Sequence, residues 1–331
     1  MEFKTKAARL NGPYDIELID RELECGEDDI IVRNHLVGIC GSDKSFYRGH
    51  MPPQTAEFRQ PPEFPFLLGH ESGGTVVAVG AKVSDYKIGD KVMSFGWNNN
   101  YAEYFKAKSF QLQPVPFNLN MDIASLGEPI ACAMFSGLHC GVQLGDTVVI
   151  MGGGFAGQII SQCAKLKGAY KVIVVDVLQG KLDLARNLGA DMGLNPQKDD
   201  VVGIVKELTD GKGADVVVEA AGTQESFNTA SALLKHNGKF VFYSWVTTPV
   251  TLNISRWHDD GFEFINTCLV HHTWQQRYVW VPEALRPVAQ GLVKIEPLIN
   301  LRFPLSKLKE GFEAADKDDS AIKIVFTIDE K

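Results

Sequence analysis

The chain has 331 residues, 45% hydrophobic and 22% charged, an ordinary globular composition with enough apolar mass for two cores. Its formal charge of −8 argues against a nucleic-acid or anionic-membrane partner. No apolar run approaches the ~20 residues of a membrane span. The opening segment MEFKTKAARL lacks the apolar core of a signal peptide. Six cysteines, at 25, 40, 132, 140, 163 and 268, form no C-x-x-C pair, so reduced thiols in a cytoplasmic protein are expected.

From Met1 to about Gln143 the chain reads as short strands and turns. Ile30–Arg33, Gly74–Val79 and Asp90–Met93 are predicted strands, punctuated by Gly12-Pro13, Gly26, Gly49 and Gly80. Met51–Pro65 is proline-rich, lacks apolar periodicity and reads as a surface loop. Ile130–Val142 is apolar enough for a connecting helix. Strand and helix then alternate. Val148–Ile150, Val172–Val175, Val216–Glu219 and Phe240–Tyr243 are the strands, and Leu182–Leu188 and Phe227–Leu234 carry helical spacing. Phe264–Val270 is a further predicted strand, and Pro297–Lys331 returns to strand-like and short helical pieces.

Three places in the first part carry metal-ligand chemistry. Cys40 sits in GICGSD, His70 and Glu71 in LLGHESGG, and Glu128 in SLGEPIA. Thiolate, imidazole and carboxylate together suit zinc. The interval from Cys40 to His70 is too long for a finger knuckle, so the ligands must converge from separate loops, as catalytic sites do. Taken singly, a lone cysteine is a small buried hydrophobe and a lone His-Glu a satisfied pair.

The run VVIMGGGFAGQIISQCAKLKGAYKVIVVD, Val148–Asp176, carries the second signal. A short apolar strand leads into Gly152, Gly154 and Gly157 at G-x-G-x-x-G spacing, with Phe155 and Ala156 inside the turn. Gln158–Lys167 has helical character, so its start offers N–H groups to a pyrophosphate. Asp176, at the end of the next strand, stands where ribose hydroxyls are held. A carboxylate there favours NAD and repels the 2′-phosphate of NADP; Lys181, the nearest cation, is a weak counter-signal. Strand, glycines, helix, strand and acid in order predict dinucleotide binding, against an ordinary βαβ unit with glycines for packing.

Gly69-His70-Glu71 followed by Gly74, Gly80 and Val83 resembles the signature of zinc-dependent medium-chain alcohol dehydrogenases. GICGSD, GDKV at Gly89–Val92, GEP at Gly127–Pro129, GADVVVEAAG at Gly213–Gly222 and RFPL at Arg302–Leu305 look like the same family's recurring segments. Glu71 and the Gly-Glu-Pro at Glu128 resemble its sorbitol and polyol dehydrogenases most. The resemblance implies an α/β protein: a GroES-like β-rich catalytic domain over 1–138 and 272–331, a Rossmann doubly wound parallel sheet over 139–271, and a cleft between them for zinc and NAD. Cys40, His70 and Glu71 match the family's metal positions. Adjacent side chains on a regular strand point apart, so Glu71 joins His70 on the ion only if the backbone bends there. Glu128 matches a carboxylate that ligates zinc in some members and holds its water in others. Ser42 matches the hydroxyl that relays the substrate proton.

Two departures stand out. The family's four-cysteine lobe would follow Val92, where this chain reads MSFGWNNNYAEYF, so one zinc ion per subunit is expected. The histidine that ends the proton relay is Ser45 here, with His50 as a weak substitute. Phe46, Trp97, Tyr101 and Trp274 are cleft candidates, though aromatics are more often core. His271-His272 is placed near the domain junction, with strand-end exposure as the simpler reading. The expected reaction is hydride transfer from a secondary alcohol of a polyol, sugar or cyclitol to NAD, with zinc as Lewis acid and Ser42 taking the proton. The alternatives are a zinc-free quinone or enoyl reductase and a non-catalytic nucleotide-binding protein. A homodimer or homotetramer is implied by the resemblance alone.

Overall fold

The computed structural model describes residues 2–52, 62–267, 269 and 274–328. The chain opens with β1 (Glu2–Gly12), β2 (Asp15–Glu24), β3 (Ile30–Gly38), α1 (Gly41–Tyr47), β4 (Phe66–Leu67), β5 (Ser72–Val79), β6 (Lys91–Ser94), β7 (Tyr104–Ala107), β8 (Leu112–Pro114), α2 (Met121–Ser125) and α3 (Gly127–His139). It continues with β9 (Thr147–Met151), α4 (Phe155–Leu166), β10 (Lys171–Val175), α5 (Gln179–Asn187), β11 (Met192–Leu194), α6 (Val201–Leu208), β12 (Ala214–Glu219), α7 (Gln224–Leu233), β13 (Leu234–Phe242), α8 (Trp257–Asp260) and β14 (Glu263–Asn266). It ends with α9 (Trp274–Ala289), β15 (Ile299–Pro304), α10 (Leu308–Lys317) and β16 (Lys323–Thr327). Among the described residues no helix is long and apolar enough to cross a membrane.

These elements form two compact units. The first comprises Met1–Pro129, His272–Ala289 and Ile299–Lys331; the second comprises Ile130–His271 and Gln290–Leu298. The break therefore falls inside α3, earlier than the expected 138/139, and 290–298 belongs with the second unit. Packing explains both differences. Beyond Pro129, α3 packs on the second unit: Ser136 hydrogen-bonds Thr267 at 2.8 Å, and the Cys163 thiol meets Met134 Sδ at 3.4 Å. Gln162 fastens Lys294, donating to its carbonyl at 3.1 Å and accepting from its amide at 2.8 Å.

In the first unit the sheet order is β15-β16-β3-β5-β6-β8, with β7 paired to β3, beside a second sheet β2-β1-β4. The β1–β2 hairpin is longer than the short strands expected, pairing Glu2 with Glu24 through to Leu10 with Ile16. Its apolar positions Ala8, Leu10 and Ile16 enter a core with Phe46, Tyr47, Tyr101, Phe312 and Phe326. Met51 and Phe64, the described flanks of the loop expected over Met51–Pro65, pack on this core; residues 53–61 lie outside the described ones.

The second unit is a six-stranded parallel sheet of order β11-β10-β9-β12-β13-β14. In order of appearance this is 3-2-1-4-5-6, the dinucleotide-binding arrangement whose ligands sit beyond the carboxyl ends of the strands. Every residue of β9 is buried, as befits a central strand covered on both faces. The last strand is shorter than the expected Phe264–Val270: β14 stops at Asn266, and Val270 lies outside the described residues. Helix α9 was not legible because Pro282 and Pro287 break the pattern. Val281, Ala284, Leu285 and Val288 nonetheless bury one face of it.

Candidate metal centre and dinucleotide turn

Cys40 immediately precedes α1, where its backbone N–H donates to Asp43 Oδ2 at 2.9 Å. This charged cap fixes the start of the helix and the direction of the Cys40 side chain. His70 and Glu71 lie between β4 and β5, outside both strands. Gly69, at φ +112°, bends the chain there, and a Cβ on it would meet the amides of Asn100 and Tyr101 at 2.7 Å. Off the strands, His70 and Glu71 are not held to the alternation that sends neighbouring side chains apart. Ligand atoms of Cys40, His70 and Glu71 all lie within 4.8 Å of one another. Glu128, in the first turn of α3, stands outside this trio, but its charge acts on His70.

Cys40 is partly buried and the other two fully so, and the site is incompletely satisfied. His70 is 8% exposed and Glu71 1%, yet His70 Nδ1, Glu71 Oε1 and the neighbouring Ser42 Oγ have no hydrogen-bond partner. Buried polar atoms in a native fold are normally satisfied, so the unpartnered Glu71 Oε1 within the converging trio marks a place for a ligand. A metal ion fits: soft, borderline and hard donors converge, and Glu71 Oε1 carries open lone pairs.

Asp43 was not assigned a role from the sequence, yet it organises the centre. It is fully buried, accepts from the Tyr101 hydroxyl at 2.7 Å and faces His70 Nδ1 at 3.7 Å. Burial pushes its carboxyl above the ordinary aspartate value, an effect that His70 and Tyr101 oppose. Burial also disfavours the His70 imidazolium, but Asp43, Cys40 and Glu128 outweigh it and hold His70 well above the ordinary histidine value. The metal-free site thus carries a proton that an ion must displace. Zinc uptake is expected to release protons and to weaken as pH falls, read by proton release in a weakly buffered titration. Uptake independent of pH between 6 and 8 would contradict this electrostatic picture.

Among the aromatic candidates, Phe46 and Tyr101 are core residues at 1% and 0% exposure. Trp97 is different: it is 36% exposed and its ring lies on His70, centroids 4.1 Å apart. The side chain of Trp274 and both His271 and His272 lie outside the described residues. His50 is exposed beyond α1, and its amide donates to Ser45 O at 2.8 Å. Residues 94–100 form a turn held by buried amides, with Asn100 donating to Ser72 and Ser94 and Asn98 to Ser94.

In the second unit Gly152 follows β9, and Gly154 caps α4 without a side-chain hydrogen bond. That leaves the helix start to a ligand anion. A Cβ on Gly154 would meet nothing within 4 Å, so the protein leaves open the space that a pyrophosphate needs. Phe155 and Ala156 are half-buried in the first turn of α4. Asp176 follows β10; its Oδ2 accepts from Gly153 N at 2.8 Å and its Oδ1 from Leu178 N at 2.9 Å. Gln158, unremarked in the sequence, is fully buried and donates to Gly153 O and Lys181 O at 3.0 and 2.8 Å. It ties the glycine turn to the segment after Asp176. A dinucleotide fits this turn.

Residues 26–194 match the alcohol dehydrogenase GroES-like domain, and residues 156–281 the zinc-binding dehydrogenase family. D-arabitol-phosphate dehydrogenase of Enterococcus avium is 30% identical, over 88% of this chain and 87% of that protein. Sorbitol dehydrogenase of Bombyx mori is 28% identical, over 97% and 98%. The crystal structure of 2R,3R-butanediol dehydrogenase from Bacillus subtilis shares the fold, with a TM-score of 0.83 at 24% identity over 98% of this chain and 99% of the other. The matches run through both units, and with them this chain belongs to the zinc-type medium-chain alcohol dehydrogenases, sorbitol-dehydrogenase-like, and is an oxidoreductase acting on CH–OH donors.

Proposed function

We propose that the chain oxidises a secondary alcohol of a polyol, sugar or cyclitol to the ketone, using NAD and one zinc ion per subunit, in the cytoplasm. The observation that carries this reading is the convergence of Cys40, His70 and Glu71, with Glu71 Oε1 buried and unpartnered. The names of its relatives, sorbitol and D-arabitol-phosphate dehydrogenases, support the substrate class.

Cys40, His70 and Glu71 would hold the ion, with Glu128 close enough to bias it by charge. When bound, zinc supplies Lewis acidity that lowers the pKa of a substrate hydroxyl. Asp43 faces Nδ1 of His70 and so orients the imidazole with Nε2 toward the other ligands. Ser42 Oγ, buried and unpartnered, would take the hydroxyl proton. The partly exposed face of Trp97 on His70 offers an apolar wall for the carbon chain. In the second unit, the α4 N-terminus receives the pyrophosphate and Asp176 the ribose hydroxyls. Val177, Leu178, Gln179 and Gly180 supply no cation for a 2′-phosphate, and Lys181 alone follows them. Among the described residues β14 is the edge strand of its sheet, with Phe264 half exposed, which supports assembly as a homodimer or homotetramer.

A screen of polyols and sugars with NAD and NADP, read at the nicotinamide absorbance before and after chelation, tests the reading. Chelation is expected to abolish turnover and added Zn²⁺ to restore it. Asp176→Asn removes the charge and keeps one acceptor oxygen for Gly153 or Leu178, not both. It is expected to cut the preference for NAD over NADP by about tenfold, the effect of one charge at a partly solvated site. A wild-type enzyme that prefers NADP would reverse the cofactor assignment.

A further inference from the structure

Lys323, at the start of β16, is 4% exposed in its side chain and meets Glu71 Oε2, itself on a carboxylate only 1% exposed. Its ammonium also donates to Ile39 O at 3.0 Å. Ile39 is the residue before Cys40, and its own N–H donates to Ile324 O at 2.9 Å. The next residues of β16, Ile324, Val325 and Phe326, are buried core, so the lysine interrupts an apolar strand. Gly38 makes room for the pair, since a Cβ there would lie 2.6 Å from Glu71 Oε2 and 3.0 Å from Lys323 Cε.

A buried ion pair that serves only the fold satisfies the remaining lone pairs of its carboxylate, because desolvating them otherwise costs more than the pair returns. Here Glu71 is held on one side alone. Oε2 takes the lysine and Oε1 is left without a partner, on the residue whose carboxylate joins Cys40 and His70.

We propose that Lys323 is a positioning residue for the metal centre: it holds Glu71 by one oxygen so that the other faces the ion, and it grips the Ile39 carbonyl so that the Cys40 segment and Glu71 keep one spacing. This rests on the zinc reading above. Anchoring Oε2 on the ammonium favours ligation through Oε1, which disfavours a second Glu71 contact at the ion. The nearby ammonium also draws charge from Glu71, leaving the ion more electrophilic.

The test is a double-mutant cycle on the full chain, with Zn²⁺ affinity measured by competition against a chromophoric chelator and coordination read from the visible bands of the Co²⁺ form. Lys323→Met is expected to bind Zn²⁺ about 10- to 100-fold more weakly, the usual effect of losing a partner of a ligand. Its Co²⁺ bands are expected to shift, and Lys323→Arg to recover part of both. In the Glu71→Gln background the lysine substitution is expected to change Zn²⁺ affinity by less than about twofold, because its route to the ion has gone. That comparison also serves if Lys323→Met alone fails to fold around its unpaired Glu71. The proposal is overturned if folded Lys323→Met keeps wild-type affinity and bands, or if the substitution still costs tenfold in the Glu71→Gln background. A wild-type chain that takes up no Zn²⁺ overturns the metal reading itself, and with it this proposal.

Discussion

Cys40→Ser is expected to leave the chain folded, strip it of zinc and lower turnover by at least ~10³-fold. Serine is a favoured residue before a helix, and the backbone N–H that donates to Asp43 Oδ2 at 2.9 Å is untouched, so α1 keeps its start. A neutral hydroxyl is a far poorer ligand for zinc than a thiolate. Loss of the ion removes several kcal/mol of charge stabilisation in the transition state, and each ~1.4 kcal/mol is tenfold in rate. Elemental analysis, circular dichroism and steady-state turnover on the same preparation separate folding from chemistry. If Cys40→Ser and His70→Ala changed neither metal content nor turnover, a non-catalytic role on this fold would replace the enzymatic one.

Gly157→Ala and Gly154→Ala are expected to fail in different ways. A Cβ on Gly157 would lie 1.9 Å from the carbonyl oxygen of Gly152. That atom is backbone and has no rotamer to yield, so the turn must open. We expect about 1–3 kcal/mol of destabilisation together with at least ~100-fold weaker NAD binding, since the turn no longer meets the α4 N-terminus correctly. On Gly154 the added methyl meets nothing within 4 Å. That variant is expected to keep wild-type stability and lose NAD affinity alone, because only a bound pyrophosphate occupies the space. Urea unfolding and nicotinamide fluorescence titration read the two quantities separately. Wild-type NAD affinity in both variants would show that the cofactor does not sit on this turn.

The second unit was largely legible because its elements are local. Val148–Ile150, Val172–Val175 and Val216–Glu219 are runs of β-branched residues that emerge as β9, β10 and β12 with one or two residues added at an end. The glycine spacing between the first two belongs to one turn, so sequence separation and spatial separation coincide. The elements missed are those where tertiary packing overrode a local signal. No element is predicted over 274–289, where Pro282 and Pro287 fall, yet α9 runs through both with its apolar face buried. The expected strand to Val270 stops at Asn266; an apolar run does not of itself say how much of it pairs.

The metal centre divides the same way. Its ligand types were readable: Cys40, His70 and Glu71 each sit in a glycine-bounded segment of the right chemistry. Whether His70 and Glu71 could share an ion was left open, since neighbours on a strand diverge. The placement of both residues between β4 and β5, outside any strand, lets their ligand atoms meet. Asp43, Gln158 and Lys323 carried only weak signals, polar residues inside otherwise buried segments.

By itself the sequence determined the strand–helix alternation of the second unit, the chemistry of the candidate ligands and the glycine turn, all set by interactions within a few residues. Only the tertiary structure decided which carboxylate joins Cys40 and His70 and which group holds it. Lys323 reaches Glu71 across 252 residues of chain, and such a contact exists only once β16 has joined β3 in the sheet. The burial of charge that makes it consequential arises from the same step, because a lysine and a glutamate are desolvated only when the strands around them close.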